Sequence, residues 1–92
     1  MRVIWSDGAK LAYEKLIDKL LERWGVEVAL NLDNLVYELE ENLKNNKHLC
    51  PKSKKVGLRK CTVHKLTSLV YKVNQNTIEV VTVLHNRSGH DY

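Results

Sequence analysis

TSLVYKVNQNTIEVVTVLHNR, residues 67–87, decides how the rest of the chain must be arranged. Two runs rich in β-branched and aromatic residues flank Asn74-Gln75-Asn76. Such runs suit a pleated sheet, and asparagine tolerates the positive φ of a tight turn. The pattern predicts strands over 68–73 and 77–84 joined as a hairpin. Val80-Val81-Thr82-Val83-Leu84 is apolar on both faces, which predicts a central strand with neighbours on either side. The hairpin closes in His85-Asn86-Arg87.

Upstream, residues 46–57 (NKHLCPKSKKVG) form a polar loop punctuated by Pro51 and Gly57, and a further strand is expected over 58–63. Before the loop come two helical patterns. Ala12, Leu16, Leu20 and Trp24, with Tyr13, Ile17 and Leu21 beside them, recur at the helical period. Ser6 suits the N-cap, Asp7 suits the positive end of the helix dipole, and Gly25 suits the stop. A second helix over about 27–45 carries Val28, Leu32, Leu35, Val36, Leu39 and Leu43 on one stripe. The aromatic residues of both helices are read as core. Residues 1–5 (MRVIW) make a short strand. The expected fold is α+β, in the order β-α-α-β-β-β, with a small, twisted, mainly antiparallel sheet packed by an N-terminal helical hairpin. At 92 residues and 43% apolar content, the chain is one domain over 1–92 with a real core.

Charge divides along the same line. Residues 7–41 hold nine acids and four bases, whereas residues 42–78 hold nine bases and no acid. An uncompensated run of this size predicts a polyanionic or acidic partner rather than a merely solvated face. No apolar run approaches a membrane span and no signal-peptide pattern opens the chain, so a cytoplasmic protein without a membrane partner is expected.

In such a compartment Cys50 and Cys61 are expected as free thiols. His48-x-Cys50 and Cys61-x-x-His64 resemble ligand spacings. On a strand, however, Cys61 and His64 would point to opposite faces, so no metal is assigned. No cofactor motif, nucleophilic triad or paired carboxylate is present.

The candidate chemistry lies in three groups. Lys52, Lys54, Lys55, Arg59 and Lys60 occupy the loop and the strand after it. His64 and Lys65 stand at the next turn, and His85, Arg87, His90 and Tyr92 close the chain. Metal-free RNA cleavage needs a base for the 2′-hydroxyl, a cation for the phosphorane charge and an acid for the leaving group. His90 or Tyr92 would move protons and Arg87 would hold phosphate. The same residues also suit an ordinary polar tail.

The element order, V-I-W-S at residues 3–6, L-V-Y-K-V at 69–73 and V-L-H-N-R at 83–87 together resemble the RelE/ParE superfamily of bacterial type II toxins. The resemblance spans essentially the whole chain. It implies a toxin neutralised by a cognate antitoxin, a partly disordered protein that wraps it. RelE-like and YoeB-like members cut mRNA on the ribosome, and ParE-like members poison DNA gyrase.

Nuclease members usually carry an arginine directly before L-V-Y, where this chain has Ser68. The stretch IEVVTVLHNR resembles the ParE ending, so binding inhibition of DNA gyrase is the leading expectation. Lys54, Lys55, Arg59, Lys60, His85 and Arg87 are then the residues that meet target or antitoxin. The tail Gly89-His90-Asp91-Tyr92 is similar to the His-Tyr terminus of YoeB-like nucleases. That similarity implies the alternative, a ribosome-dependent mRNA endonuclease using Arg87, His90 and Tyr92. A third reading, a non-toxic domain that binds nucleic acid, needs only the basic stretch and predicts strongly salt-dependent binding.

Overall fold

A computed structural model describes residues 1–86 and residue 92. The elements are β1 (Arg2–Trp5), α1 (Asp7–Trp24), α2 (Val26–Asn45), β2 (Arg59–His64), β3 (Thr67–Val73) and β4 (Thr77–His85). The sheet order is β1-β4-β3-β2, so β4 is central as its apolar run predicts. The β2–β3 and β3–β4 pairs are antiparallel and β1 lies parallel to β4, from Arg2↔Thr77 to Trp5↔Val80. Helices α1 and α2 form an antiparallel pair against one face.

Ser6 sets the first corner. Its Oγ accepts the Ala9 amide at 3.0 Å, capping α1, and donates to the Val81 carbonyl at 3.2 Å. Its backbone N–H reaches the Val80 carbonyl at 3.0 Å, so the cap also fixes α1 on β4. Gly25 alone makes the second corner. Its φ of +91° is open to glycine at little cost, and α2 resumes at once at Val26. The turn at residues 74–76 departs from the expected form, because no described residue other than glycine has positive φ. Asn74 closes it instead, with its N–H on the Thr77 carbonyl at 2.8 Å and its side-chain amide on Thr77 Oγ1 at 3.3 Å.

Ala9, Leu32, Val36 and Leu43 from the helices meet Leu69, Tyr71, Ile78 and Val80 from the sheet, all of them buried. Between Val70 and Tyr71 the ladder shifts, Tyr71 pairing with Val80 and Val70 with Thr82. The bulge leaves Val81 unpaired, which accounts for an apolar run that breaks strict alternation.

Two expectations need correction. Cys50 and Cys61 are not free thiols but a disulfide, with Cα atoms 5.2 Å apart. The chain after Cys50 folds back antiparallel, Lys52 bridging to Arg59 and the Lys60 amide donating to the Pro51 carbonyl at 3.1 Å. That register sets Cys50 across from Cys61, within bridging distance. With both sulfurs bonded to each other, neither ligand-like spacing offers a thiolate. The second correction concerns the helix aromatics. Trp24 is 68% exposed and Tyr37 63% exposed, because they lie on helix surfaces that no further layer covers.

Candidate target and antitoxin interface

The basic residues are held by a tied loop. Beneath it the buried Tyr71 hydroxyl donates to the Lys47 carbonyl at 2.9 Å and accepts the Cys50 amide at 3.4 Å. Burial raises the Tyr71 phenol above its ordinary range, partly offset by the Cys50 backbone hydrogen bond and by Arg59. The Arg59 guanidinium donates to the Cys50 carbonyl at 2.6 Å, and Ser53 accepts the Lys55 amide at 3.0 Å. The disulfide joins the loop to β2. Lys52, Lys54 and Lys55 therefore project into solvent from a loop whose backbone is fixed on several sides.

The expected interface residues do not form one cluster. Lys54 and Lys55 are exposed on the loop, whereas Arg59 and Lys60 are half-buried at the start of β2. Arg59 has a structural task in the hydrogen bond to Cys50. His64, at the other end of β2, pairs with Thr67, which in turn pairs with His85. The five-residue step along β2 from Arg59 to His64 separates the two ends by about 16 Å. Tyr92 lies on the loop side, its ring 4.6 Å from Lys55 Nζ in a cation–π contact. Arg87 and His90 lie outside the described residues.

Positive charge is placed more narrowly than composition implies. On the hairpin, Lys72 sits opposite Glu79, with Nζ 3.8 Å from the carboxylate. The hairpin is thus locally balanced, and the uncompensated charge belongs to the loop and to β2. Strand β2 lies at the edge of the sheet. Cationic side chains on an edge strand also discourage a second sheet from adding there.

Ser68, the residue directly before L-V-Y, is 1% exposed. Its Oγ donates to Asn86 Oδ1 at 2.6 Å. The Asn86 side-chain amide donates to the Lys65 carbonyl at 3.3 Å, and its backbone N–H to the Leu66 carbonyl at 2.7 Å. The site is therefore a closed internal network that fastens the end of β4 to the β2–β3 turn. Sequence reasoning missed Asn86; its one signal was a polar residue directly after a long apolar strand.

It also missed a cluster of aromatic and acidic residues between the helices. The Tyr13 hydroxyl donates to Asp33 Oδ1 at 2.6 Å, and the Trp5 and Tyr13 rings stand 5.3 Å apart. Burial and then Asp33 push the Tyr13 phenol well above its usual range. Glu40 is also raised, chiefly by burial, against a hydrogen bond from Trp5. No i, i+4 rule pairs residues on different helices, so this cluster left no trace in the spacing.

The model of a family described as ParE toxin of type II toxin-antitoxin system, parDE, matches residues 3–88. Among solved structures, the chromosomal ParDE TA system from P. aeruginosa is similar at TM-score 0.77 and 18% identity, covering 92% of this chain and 95% of that one. A YoeB/ParE toxin from Agrobacterium tumefaciens gives TM-score 0.67 and 16% identity, with 92% and 98% covered. The heterotetrameric YoeB-YefM toxin-antitoxin complex from Staphylococcus aureus gives 0.63 and 16%, with 92% and 95% covered. No curated protein matches. These likenesses confirm the fold, and the family match extends over nearly the whole chain: the protein belongs to the ParE toxin family of type II toxin–antitoxin systems.

Proposed function

We propose that the protein inhibits DNA gyrase by binding it and is neutralised by a cognate antitoxin. The observation that carries the choice of target is Ser68. The nuclease members that the sequence resembles usually carry an arginine there, and this chain has a buried hydroxyl committed to Asn86. The tied basic loop serves as a binding surface, with Lys54 and Lys55 exposed to an acidic partner or target. Purified toxin is expected to block gyrase supercoiling or trap its cleaved complex. Unaltered supercoiling and cleavage at a large excess of toxin would sink the proposal.

One observation favours a second reading, cleavage of ribosome-bound mRNA. Tyr92 stands against Lys55, which sets a proton donor beside a cation. On that reading a translating extract cuts its message within codons, and Arg87→Ala with His90→Ala stops it. Intact message in that extract removes it. Either target places the toxin in the cytoplasm. There the bridge is shielded from thiol exchange, with Cys50 8% and Cys61 2% exposed.

A further inference from the structure

The basic loop is a narrow ribbon held at its base. The Ser53 amide donates to the Leu58 carbonyl at 2.9 Å and the Lys60 amide to the Pro51 carbonyl at 3.1 Å, with Lys52 bridged to Arg59 between them. Gly57, at φ +83°, turns the tip, and Val56 beside it is fully exposed, so that side chain anchors nothing. The base is different. Cys50 and Cys61 are buried in one cluster with Leu43, Leu69 and Tyr71, and Cys61 pairs with Leu69 on β3. The Cys50–Cys61 bridge therefore joins the loop to the sheet independently of the backbone.

That link stands in an unusual setting. The proposed targets lie in a thiol-reducing compartment, where disulfides are rare and serve mainly transient or redox-sensing roles. The fold accommodates both states. Burial suits a thiol as well as a bridge, since a cysteine thiol packs as a small apolar group. Without the bond, the Pro51–Lys60 and Lys52–Arg59 pairings still keep Cys50 across from Cys61, so the bridge re-forms readily. The packing of Ala9, Leu32 and Val36 with Ile78 and Val80 involves no loop residue, so helices and sheet stay together in either state.

We propose that the Cys50–Cys61 bridge is a reversible redox latch on the basic loop. Bridged, the loop presents Lys52, Lys54 and Lys55 on a fixed backbone. As the dithiol, the loop keeps only its hydrogen bonds, each individually weak against water, and those cations lose their fixed placement. The latch rests on the target reading above and adds regulation to that surface. The reductant is a low-molecular-weight thiol such as glutathione. Its thiolate attacks the sulfur of Cys50, the more exposed of the pair, to form a mixed disulfide, and Cys61 leaves as a thiolate that takes up a proton. A second thiol then attacks the small thiol's sulfur in the mixed disulfide, releasing the Cys50 thiol and the small disulfide. Two thiols are oxidised and the bridge gains their two electrons. Because both cysteines are buried, attack waits for the loop to open, and a partner bound to the loop keeps the bridge closed.

The test takes purified toxin through glutathione buffers, with thiols trapped by alkylation and counted by mass spectrometry. Reduced glutathione should open the bridge in the folded protein, and oxidised glutathione should restore it. On opening, hydrogen exchange at the Ser53 and Lys60 amides should quicken roughly tenfold or more, with β3 and β4 unchanged. Tyr71→Phe should speed reduction severalfold, because it frees the loop without touching a sulfur. The dithiol should inhibit gyrase roughly tenfold less than the bridged form. Cys50→Ser with Cys61→Ser should match the dithiol whether or not reductant is present. A bridge that yields only when the whole chain unfolds is a permanent staple and overturns the proposal. So do equal loop exchange and equal potency in the two states. If bridged toxin leaves gyrase untouched, the target reading falls alone. The latch is then judged by loop exchange and by antitoxin affinity in the two states, and equality there overturns it.

Discussion

Ser68 and Tyr71 lie three positions apart on the same strand and make opposite connections. Ser68 ties β3 to the end of β4 through Asn86, and Tyr71 holds the basic loop from below. Tyr71→Phe removes the partner of the Lys47 carbonyl and the Cys50 amide while keeping the ring. It should cost about 1–3 kcal/mol in denaturant unfolding and loosen the loop, seen as faster hydrogen exchange at the Cys50 amide. Ser68→Ala should cost about 1 kcal/mol and leave the proposed gyrase inhibition intact, since the hydroxyl is internal.

Glu40 gives a pH signature. Burial raises its folded pKa, so the native state keeps a proton that the unfolded chain releases. Its contribution is therefore fully present in acid, below the ordinary carboxylate pKa, and is lost as pH rises through the raised value. Glu40→Gln should melt higher than wild type at neutral pH and converge with it in acid. Thermal melts at the two extremes check the sign. A difference that grows in acid would contradict it.

Among the elements, the strands and helices were legible because their patterns are local. Ser6 sits before a helical apolar period, Gly25 interrupts two such periods, and the valine run of β4 has the composition of a central strand. Helix α2 began one residue earlier than expected because Gly25 needs no further linker. The loop was read as polar and basic, which it is, but its closure was not legible. A bridge between Cys50 and Cys61 depends on the antiparallel return at Lys52 and Arg59, a register that composition does not encode.

The same limit applies to the candidate site. That Lys54 and Lys55 stand on a basic loop was legible from charge alone, whereas the tertiary partners of Arg59 and Ser68 were not. The bridge spans a sequence separation of 11 residues. Replacing both cysteines with alanine should cost about 3 kcal/mol and lower the melting temperature by roughly 10–20 °C. Wild-type protein melted in reductant should approach the variant, and no change in either would contradict a structural bridge.

For the whole molecule, the decisive property is that charge is sorted between the two halves of the sequence. Residues 7–41 are acidic and residues 42–78 basic, and the helical layer and the tied loop carry these signs to separate surfaces. A partner that approaches the loop is steered by charge, so its association rate should fall steeply with ionic strength. Lys52→Glu with Lys54→Glu and Lys55→Glu should slow antitoxin association by about tenfold or more at low salt and much less at high salt. Stopped-flow measurements across a salt series check this. An equal loss at all salt concentrations would point to a folding defect instead.

The parallel pairing of β1 with β4 has a consequence in time. Arg2 meets Thr77 and Trp5 meets Val80, so the first strand to leave the ribosome waits for the last described strand before it has a neighbour. Until β4 emerges, the sheet lacks its central strand and the helices lack the surface they pack on. Such long-range pairing must close a loop of nearly the whole chain before its contacts are gained. The sheet therefore cannot be completed until β4 has been made.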